Sequence, residues 1–254
     1  MRFASLGSGS AGNSLVATAG NTTVLLDCGF SVRETISRLA RLGLETDQLS
    51  AILVTHEHDD HVGSAMRLSA RFKLPLYLTH GTLAALGSLS ADADIRIIDS
   101  HTEFAIGDMQ VQPYPVPHDS REPIQFVLGD GEHRLGVLTD AGVSTPHIEY
   151  MLSGCQGLVL ECNHDLDMLF NSSYPKSLKE RISSRLGHLD NASSGALLSR
   201  LDNSKLQHIV AAHLSAQNNR ADLARKSLSD ALACETSWIG IANQENGFDW
   251  REIS

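Results

Sequence analysis

The sequence predicts a single α/β domain over residues 1–254, with two β-sheets packed together and helices outside. Three observations carry this expectation. Each half of the chain opens with short apolar runs bounded by Gly, Asn or Asp, and helix-like stretches follow them. No Pro-, Gly- or Ser-rich linker divides the halves, and no repeat or low-complexity segment interrupts them. At 254 residues, 42% hydrophobic and 20% charged, the chain can bury a substantial core.

In order, FASL, SLVATA and TTVLLD read as strands separated by Gly and Asn turns. A helix is expected over 31–42, because Ser31 and Glu34 have capping-box spacing and Val32, Ile36 and Leu39 share one face. AILVT then reads as a buried strand, HVGSAMRLSARF as a helix and LPLYLT as a strand. TEFAIGDMQVQPY and IQFVLGDGEHRLGVLTD read as hairpins turning at Gly107-Asp108 and Asp130-Gly131. Beyond about 144, GLVLE and HIVAA are expected strands, and 175–186, 190–201 and 219–232 expected helices.

Composition excludes some roles. No apolar stretch approaches the ~20 residues of a membrane span, and MRFASLGSGSAG has no apolar core of a secretory signal. Cys28, Cys155, Cys162 and Cys234 are far apart without a CxxC pair, so reduced thiols and a cytoplasmic location are expected. A net charge of −10 disfavours non-specific grip on nucleic acid or anionic lipid, while leaving room for a local positive site.

Gly7 to Gly12 spell GxGxxG, with Asp27 near the acidic position of a dinucleotide fingerprint. That motif needs a helix after its glycines, and NSLVATAGNTTVLLD is rich in β-formers instead. The stretch reads as a turn between strands, or as backbone amides approaching an anion.

Residues 55–61 read THEHDDH, at the end of a strand where a helix should begin. Helix capping would explain Asp59 or Asp60 and none of the histidines. Clustered imidazole and carboxylate suit a borderline metal such as zinc. His56 and His58, two apart, can share one metal, while the successive Asp60 and His61 can swing to a second. A water between two such ions loses a proton near neutral pH and becomes a nucleophile. Further ligands are expected where other strands end: His118 in PVPHDS, Asp140 after GVLT and His213 after HIVAA.

THEHDDHVG resembles the HxHxDH signature of the metallo-β-lactamase superfamily, and His118, Asp140 and His213 match its later motifs in order. LLDCG, ending in Asp27 and its neighbours, resembles the superfamily's early strand, so the likeness runs from residue 3 to about 220. The resemblance implies an α+β class fold, an αββα sandwich of two mixed sheets face to face with helices on both outer faces. It implies two divalent ions at the edge between the sheets. His56, His58 and His118 would hold one, Asp60, His61 and His213 the other, with Asp140 bridging. Zinc is the first expectation from the nitrogen-rich ligands and manganese the second.

The fold alone names no substrate. Glu161 in LECNHD, then His188 in LGHLDN before His213, resembles the order in the tRNase Z and phosphodiesterase branch. There a Glu–His pair serves the scissile phosphate and its leaving group. ECNHD, GHLxN and HLSxxNN together resemble the YycJ/WalJ-like group of proposed 5′→3′ exonucleases acting on DNA. That group often has Ser where this chain has Asp190, which adds a negative charge near any phosphate path. The implied activity is a metal-dependent phosphodiesterase or nuclease, with Asp60, Glu161 and His188 catalytic and His164, His188, Asn191 and Ser215 touching substrate. The alternative is a small-molecule hydrolase of the same fold, a cyclic-phosphate diesterase, a thioesterase or a lactonase. Many relatives dimerise, so a homodimer is allowed, although no feature requires one. Asn218 and Asn219 read equally as substrate contacts or caps of the last helix. His80, His101, His133, His147 and His208 read as structural or surface residues, and Cys28 and Cys162 as small buried thiols.

Overall fold

Residues 1–87 and 92–254 are described by a computed structural model. Side-chain alternation along the strands sets its layering. One sheet holds β1 (Arg2–Gly7), β2 (Ser14–Ala19), β3 (Thr22–Leu26), β4 (Ala51–Leu53), β5 (Pro75–Thr79) and β6 (Asp94–Ile98) in chain order. The C-terminal strand β14 (Phe248–Glu252) joins it beside β1. The other sheet runs in chain order through β7 (Phe104–Ile106), β8 (Met109–Pro115), β9 (Ile124–Gly129), β10 (Arg134–Leu138), β11 (Gly157–Glu161), β12 (His208–Ala212) and β13 (Gly240–Ile241). Both sheets are mixed. Pairing is antiparallel over β1–β3 and β7–β10, and parallel over β3–β6 and β10–β13.

Leu15, Ala17, Val24, Leu26 and Leu53 face the second sheet and pack against Met109, Phe126, Val137 and Val159. The residues between them point outward. Val16, Leu25 and Ile52 lie under Leu39 of α1 (Val32–Arg41) and Leu68 of α3 (Ala65–Phe72), which follows the short α2 (Asp59–Val62). On the opposite outer face, Leu138, Leu158 and Ile209 are covered by α5 (Pro146–Leu152), α8 (Asn191–Arg200) and α9 (Ala221–Leu232). The remaining helices are α4 (His80–Leu86), α6 (Leu166–Asn171) and α7 (Lys176–Ile182). The layers are therefore helix, sheet, sheet, helix, and strands buried on both faces read as nearly continuous apolar runs.

Local chemistry accounts for the agreements and the departures. Ser31 caps α1 by accepting from the Glu34 amide, while the Glu34 carboxylate turns away to Arg38, 2.7 Å distant. The helix expected from His61 to Phe72 is broken at Gly63-Ser64 into α2 and α3. A Cβ on Gly63 would lie 2.8 Å from the Gly29 carbonyl oxygen, so the chain must bend there to clear the β3 exit. The first hairpin turns at Gly107-Asp108 as expected, with Ile106 paired to Met109. The second is wider than the Asp130-Gly131 signal suggests, pairing Gly129 with Arg134, because Asp130 Oδ1 accepts from the Glu132 and His133 amides. α7 ends at Ile182 rather than 186, since the chain turns to present His188. α9 starts at Ala221, so neither Asn218 nor Asn219 caps it. No helix among the described residues is long and apolar enough to cross a membrane.

The β3 exit and α2 are held almost in contact. The Asn13 amide donates to the Asp60 carbonyl and the Cys28 amide to the His61 carbonyl, both at 2.7 Å. A Cβ on Gly29 would sit 1.9 Å from the Asp60 oxygen, which only backbone movement could relieve. Gly29→Ala is expected to destabilise the protein by roughly 1–3 kcal/mol, as overpacking does, read as a lower urea midpoint. An unchanged midpoint would contradict this packing.

Candidate metal centre and active site

The ends of strands from both sheets meet at one edge, and every candidate ligand lies on the segment that leaves one, His118 three residues past β8. Asp27 succeeds β3, the loop with His56, His58, Asp60 and His61 succeeds β4, Asp140 lies just past β10 and His213 just past β12. Asp27, Asp140 and His213 adopt left-handed backbone with φ of 59°, 53° and 54°. Such turns cost of order 1–3 kcal/mol each and persist where surrounding structure demands them. Here they fold side chains back over the strand ends.

His56, His58 and His118 form a cluster of nitrogens. His56 Nδ1 donates to Thr55 Oγ1 at 2.9 Å, and His118 Nδ1 donates to the Gly187 carbonyl at 3.1 Å. Their Nε2 atoms are thereby left as lone pairs, 3.1 and 3.2 Å from His58 Nδ1. A proton on His58 Nδ1 can serve only one of them, so at least one buried lone pair is left for a cation. The second cluster contains Asp60 Oδ2, 3.4 Å from both His61 Nε2 and His213 Nε2. Ligand atoms at 2.0–2.1 Å from a tetrahedral ion would lie about 3.3–3.4 Å apart, so both clusters have the right span. Asp140 reaches both, its Oδ2 2.9 Å from His61 Nε2 and its Oδ1 3.9 Å from His118 Nε2. Asp140 Oδ2 and His213 Nε2 are buried and make no well-aligned hydrogen bond, although His61 Nε2 lies 2.9 Å from the first and Asp60 Oδ2 3.4 Å from the second, and a bound cation would satisfy both. The donor set fits two divalent ions.

Outer partners orient these ligands. His61 Nδ1 donates to Asp27 Oδ2 at 2.7 Å, and Asp27 also accepts from the Thr55 amide and hydroxyl. Such a carboxylate behind a ligating imidazole fixes its tautomer and raises its basicity. Glu161 is fully buried and accepts from the amides of Asp140, Ala141 and Leu189, each at 3.0 Å. Its Oε1 also holds His188 Nδ1 at 2.9 Å and His213 Nδ1 at 3.1 Å. Asp140, Glu161, His188 and His213 are close enough to form a further four-residue cation site. We assign Glu161 an orienting role instead, because backbone amides already occupy both its oxygens.

The electrostatics point the same way. Burial, reinforced by His61, pushes His56 well below the usual histidine range, and burial lowers His118, so both present free lone pairs. Burial would also lower His61 and His213, but Asp140 leads the carboxylates that outweigh it. His61 stands well above its ordinary value and His213 is pushed up to about 10. Burial would raise Asp60, Asp140 and Glu161, yet neighbouring imidazoles hold all three low. The second cluster thus binds protons that a cation would displace.

The ligands open on a cleft of about 370 Å³ lined in part by His58, Asp60, Asp140, His188, His213 and Ser215. His164 and Asn191, expected to touch substrate, do not line it. His164 is 1% exposed, and the Asn191 side chain exchanges two 2.9 Å hydrogen bonds with Asn219. This amide pair joins the start of α8 to the segment that leads into α9, so both asparagines lie near the site without facing it. Asp190 spends its carboxylate on the Ser193 amide and hydroxyl as the α8 cap, so its charge is directed into the helix.

Ser8 of the GxGxxG stretch and Asn13, which follows it, have roles that the glycines concealed. Asn13 Nδ2 donates to Asp60 Oδ2 at 3.1 Å, and Ser8 Oγ accepts from the His213 amide at 2.9 Å. The Gly9 amide is bound by Asn13 and the Ala11 amide by Gln244, so these amides brace the loop rather than await an anion. Nothing but the polar character of Ser8 and Asn13 signals this in the sequence. Arg181 and Tyr174 also line the cleft and were not anticipated.

The chain matches the Beta-lactamase superfamily domain over residues 22–213. It belongs to that superfamily. It is 33% identical to exodeoxyribonuclease YycJ of Bacillus anthracis, over 95% of this chain and 93% of that one. It is 29% identical to exodeoxyribonuclease WalJ of Streptococcus pneumoniae, over 94% and 91%. Among solved structures it resembles the metallo-β-lactamase fold protein YhfI from Bacillus subtilis, with a TM-score of 0.76, 17% identity and 99% of both chains covered. This superfamily member is a hydrolase of the metallo-β-lactamase fold, with clusters suited to divalent metal ions.

Two outcomes are expected. Asp27→Asn weakens metal binding about 10–100-fold, the usual cost of losing an outer-shell partner, in chelator competition; unchanged affinity would contradict its role. Zinc loading at pH 7.5 releases protons, because His213 with a pKa of about 10 is protonated there and must lose its proton to bind. The release should appear as a calorimetric enthalpy that varies with buffer ionisation enthalpy, and the share from His213 should decline as pH rises through about 10. Buffer-independent enthalpies at pH 7.5 would contradict it.

Proposed function

We propose that this chain is a dinuclear metal-dependent phosphodiesterase acting as a 5′→3′ exodeoxyribonuclease. The observation that carries the reading is the Glu161–His188 pair beside the metal ligands, with His188 lining the cleft alongside Asp60 and Asp140. The names of the YycJ and WalJ relatives, matched over nearly their whole lengths, support DNA as substrate. His56, His58 and His118 would hold one ion, Asp60, His61 and His213 the other, and Asp140 both. Bound there, zinc or manganese supplies an acidified water and Lewis-acid polarisation of a phosphoryl oxygen.

The protein's own groups do the rest. Asp60, fixed by Asn13, accepts a hydrogen bond from the attacking water and orients it. Glu161 keeps His188 Nδ1 engaged, which leaves the opposite ring nitrogen to serve the phosphodiester. That nitrogen stabilises the phosphoryl charge and gives a proton to the departing oxygen. Water is thereby added across one P–O bond, its oxygen to phosphorus and a proton to the leaving alcohol. Ser215, at the cleft wall, is placed to contact the strand.

The net charge of −10 favours the rival, a hydrolase of small phosphodiesters or esters. Metal-loaded protein should cleave both bis-p-nitrophenyl phosphate and 5′-phosphorylated single-stranded DNA, the latter from its 5′ end and with steep loss of rate in salt. His188→Ala should lower kcat by about 10²–10⁴-fold at unchanged metal content. Failure to cleave DNA, with the small diester still turned over, would leave only the rival.

A further inference from the structure

The segment between Glu161 and His188 carries more basic than acidic side chains in an acidic chain. Lys176, Lys179, Arg181 and Arg185 lie within it against Asp165, Asp167 and Glu180, in a chain of net charge −10. It also exposes large apolar side chains. Of six large hydrophobic side chains exposed among the described residues, three belong to it: Leu166, Phe170 and Leu186, at 40%, 56% and 50% exposure. Helices serving only to cover β11 would bury such side chains. Tyr174 and Arg181 extend the same segment to the wall of the metal cleft.

We infer that residues 166–187, α6 and α7 with their flanking turns, are the docking surface for a single strand of DNA leading to the cleft. This rests on the nuclease reading above. Exposed aromatic faces beside cations suit unpaired bases joined by phosphates, whereas a duplex offers phosphates and hides its base faces. The segment is held in register for this task. Lys179 Nζ donates to the carbonyls of Phe170 and Ser172 at 2.8 and 2.7 Å, tying the end of α6 to α7. The His188 amide donates to the Ile182 carbonyl, and the Gly187 carbonyl accepts from the ligand His118. Arg181 is fixed by Asp119 at 2.5 Å. Two cations remain for phosphates. Arg185 has no ion pair among the described residues. Lys176, 90% exposed, has only a 3.6 Å contact to Glu180, the kind of surface pair that contributes little.

The test compares kcat/KM on a 5′-phosphorylated single strand of about twelve nucleotides with kcat/KM on bis-p-nitrophenyl phosphate, in metal-loaded protein. Lys176→Glu with Arg185→Glu is expected to lower the strand-to-diester ratio at least about ten-fold and to flatten its salt dependence. Phe170→Ala should lower the ratio several-fold and leave the salt slope unchanged. Lys176→Arg with Arg185→Lys should restore the wild-type ratio. Lys205→Glu, before β12 and at its opposite end from His213, should leave it unchanged. If the segment variants keep the wild-type ratio, or Lys205→Glu lowers it equally, the docking surface is elsewhere and the nuclease reading stands. If wild-type protein turns over the diester and no strand, both readings fall.

Discussion

The structure depends on one electrostatic constraint: carboxylates and imidazoles are crowded, mostly buried, where the ends of two sheets meet. Desolvated charges are tolerated only when paired or when they coordinate metal. Asp27, Asp60, Asp140 and Glu161 surround His56, His61, His118 and His213 with water largely excluded. Part of the demand is met by backbone amides on Glu161 and by Thr55 on Asp27. What is left over is a set of ring nitrogens and carboxylate oxygens that face one another without well-aligned hydrogen bonds, and a pair of cations is the proposed balance.

The fold supplies that geometry at a cost in backbone freedom. Three left-handed strand ends and the contact between Gly29 and Asp60 hold the ligand loops against one another. Loops from the first sheet contribute Asp27 and the β4 exit, and the second sheet contributes Asp140, Glu161 and His213. Displacing the sheets would therefore separate the two halves of the ligand set. Stability of the inter-sheet core and assembly of the centre are coupled through the same strands.

Much of this was legible in the sequence because the signals are local. THEHDDH places four of the seven candidate ligands within six positions, and Asp140 and His213 are each the first titratable residue after an apolar strand. The layered fold was legible for a similar reason, since strands buried on both faces stand out as apolar runs. What escaped depends on long-range partners. Asn13 acts on Asp60, 47 positions away, and Asn191 pairs with Asn219 across two helices. β14 escaped because FDWRE mixes charge with aromatic residues and gains strand character only beside β1. α7 was overextended because the turn that ends it is imposed by the placement of His188.

The central claim is that seven side chains hold two cations, and the most direct measurement is a crystal structure of the zinc-loaded protein with anomalous scattering from the metal. The account predicts two peaks, each about 2.0–2.2 Å from its ligands: one among His56, His58 and His118, the other among Asp60, His61 and His213, with Asp140 touching both. A single peak, or metal bound only at Glu161 and His188, would contradict it.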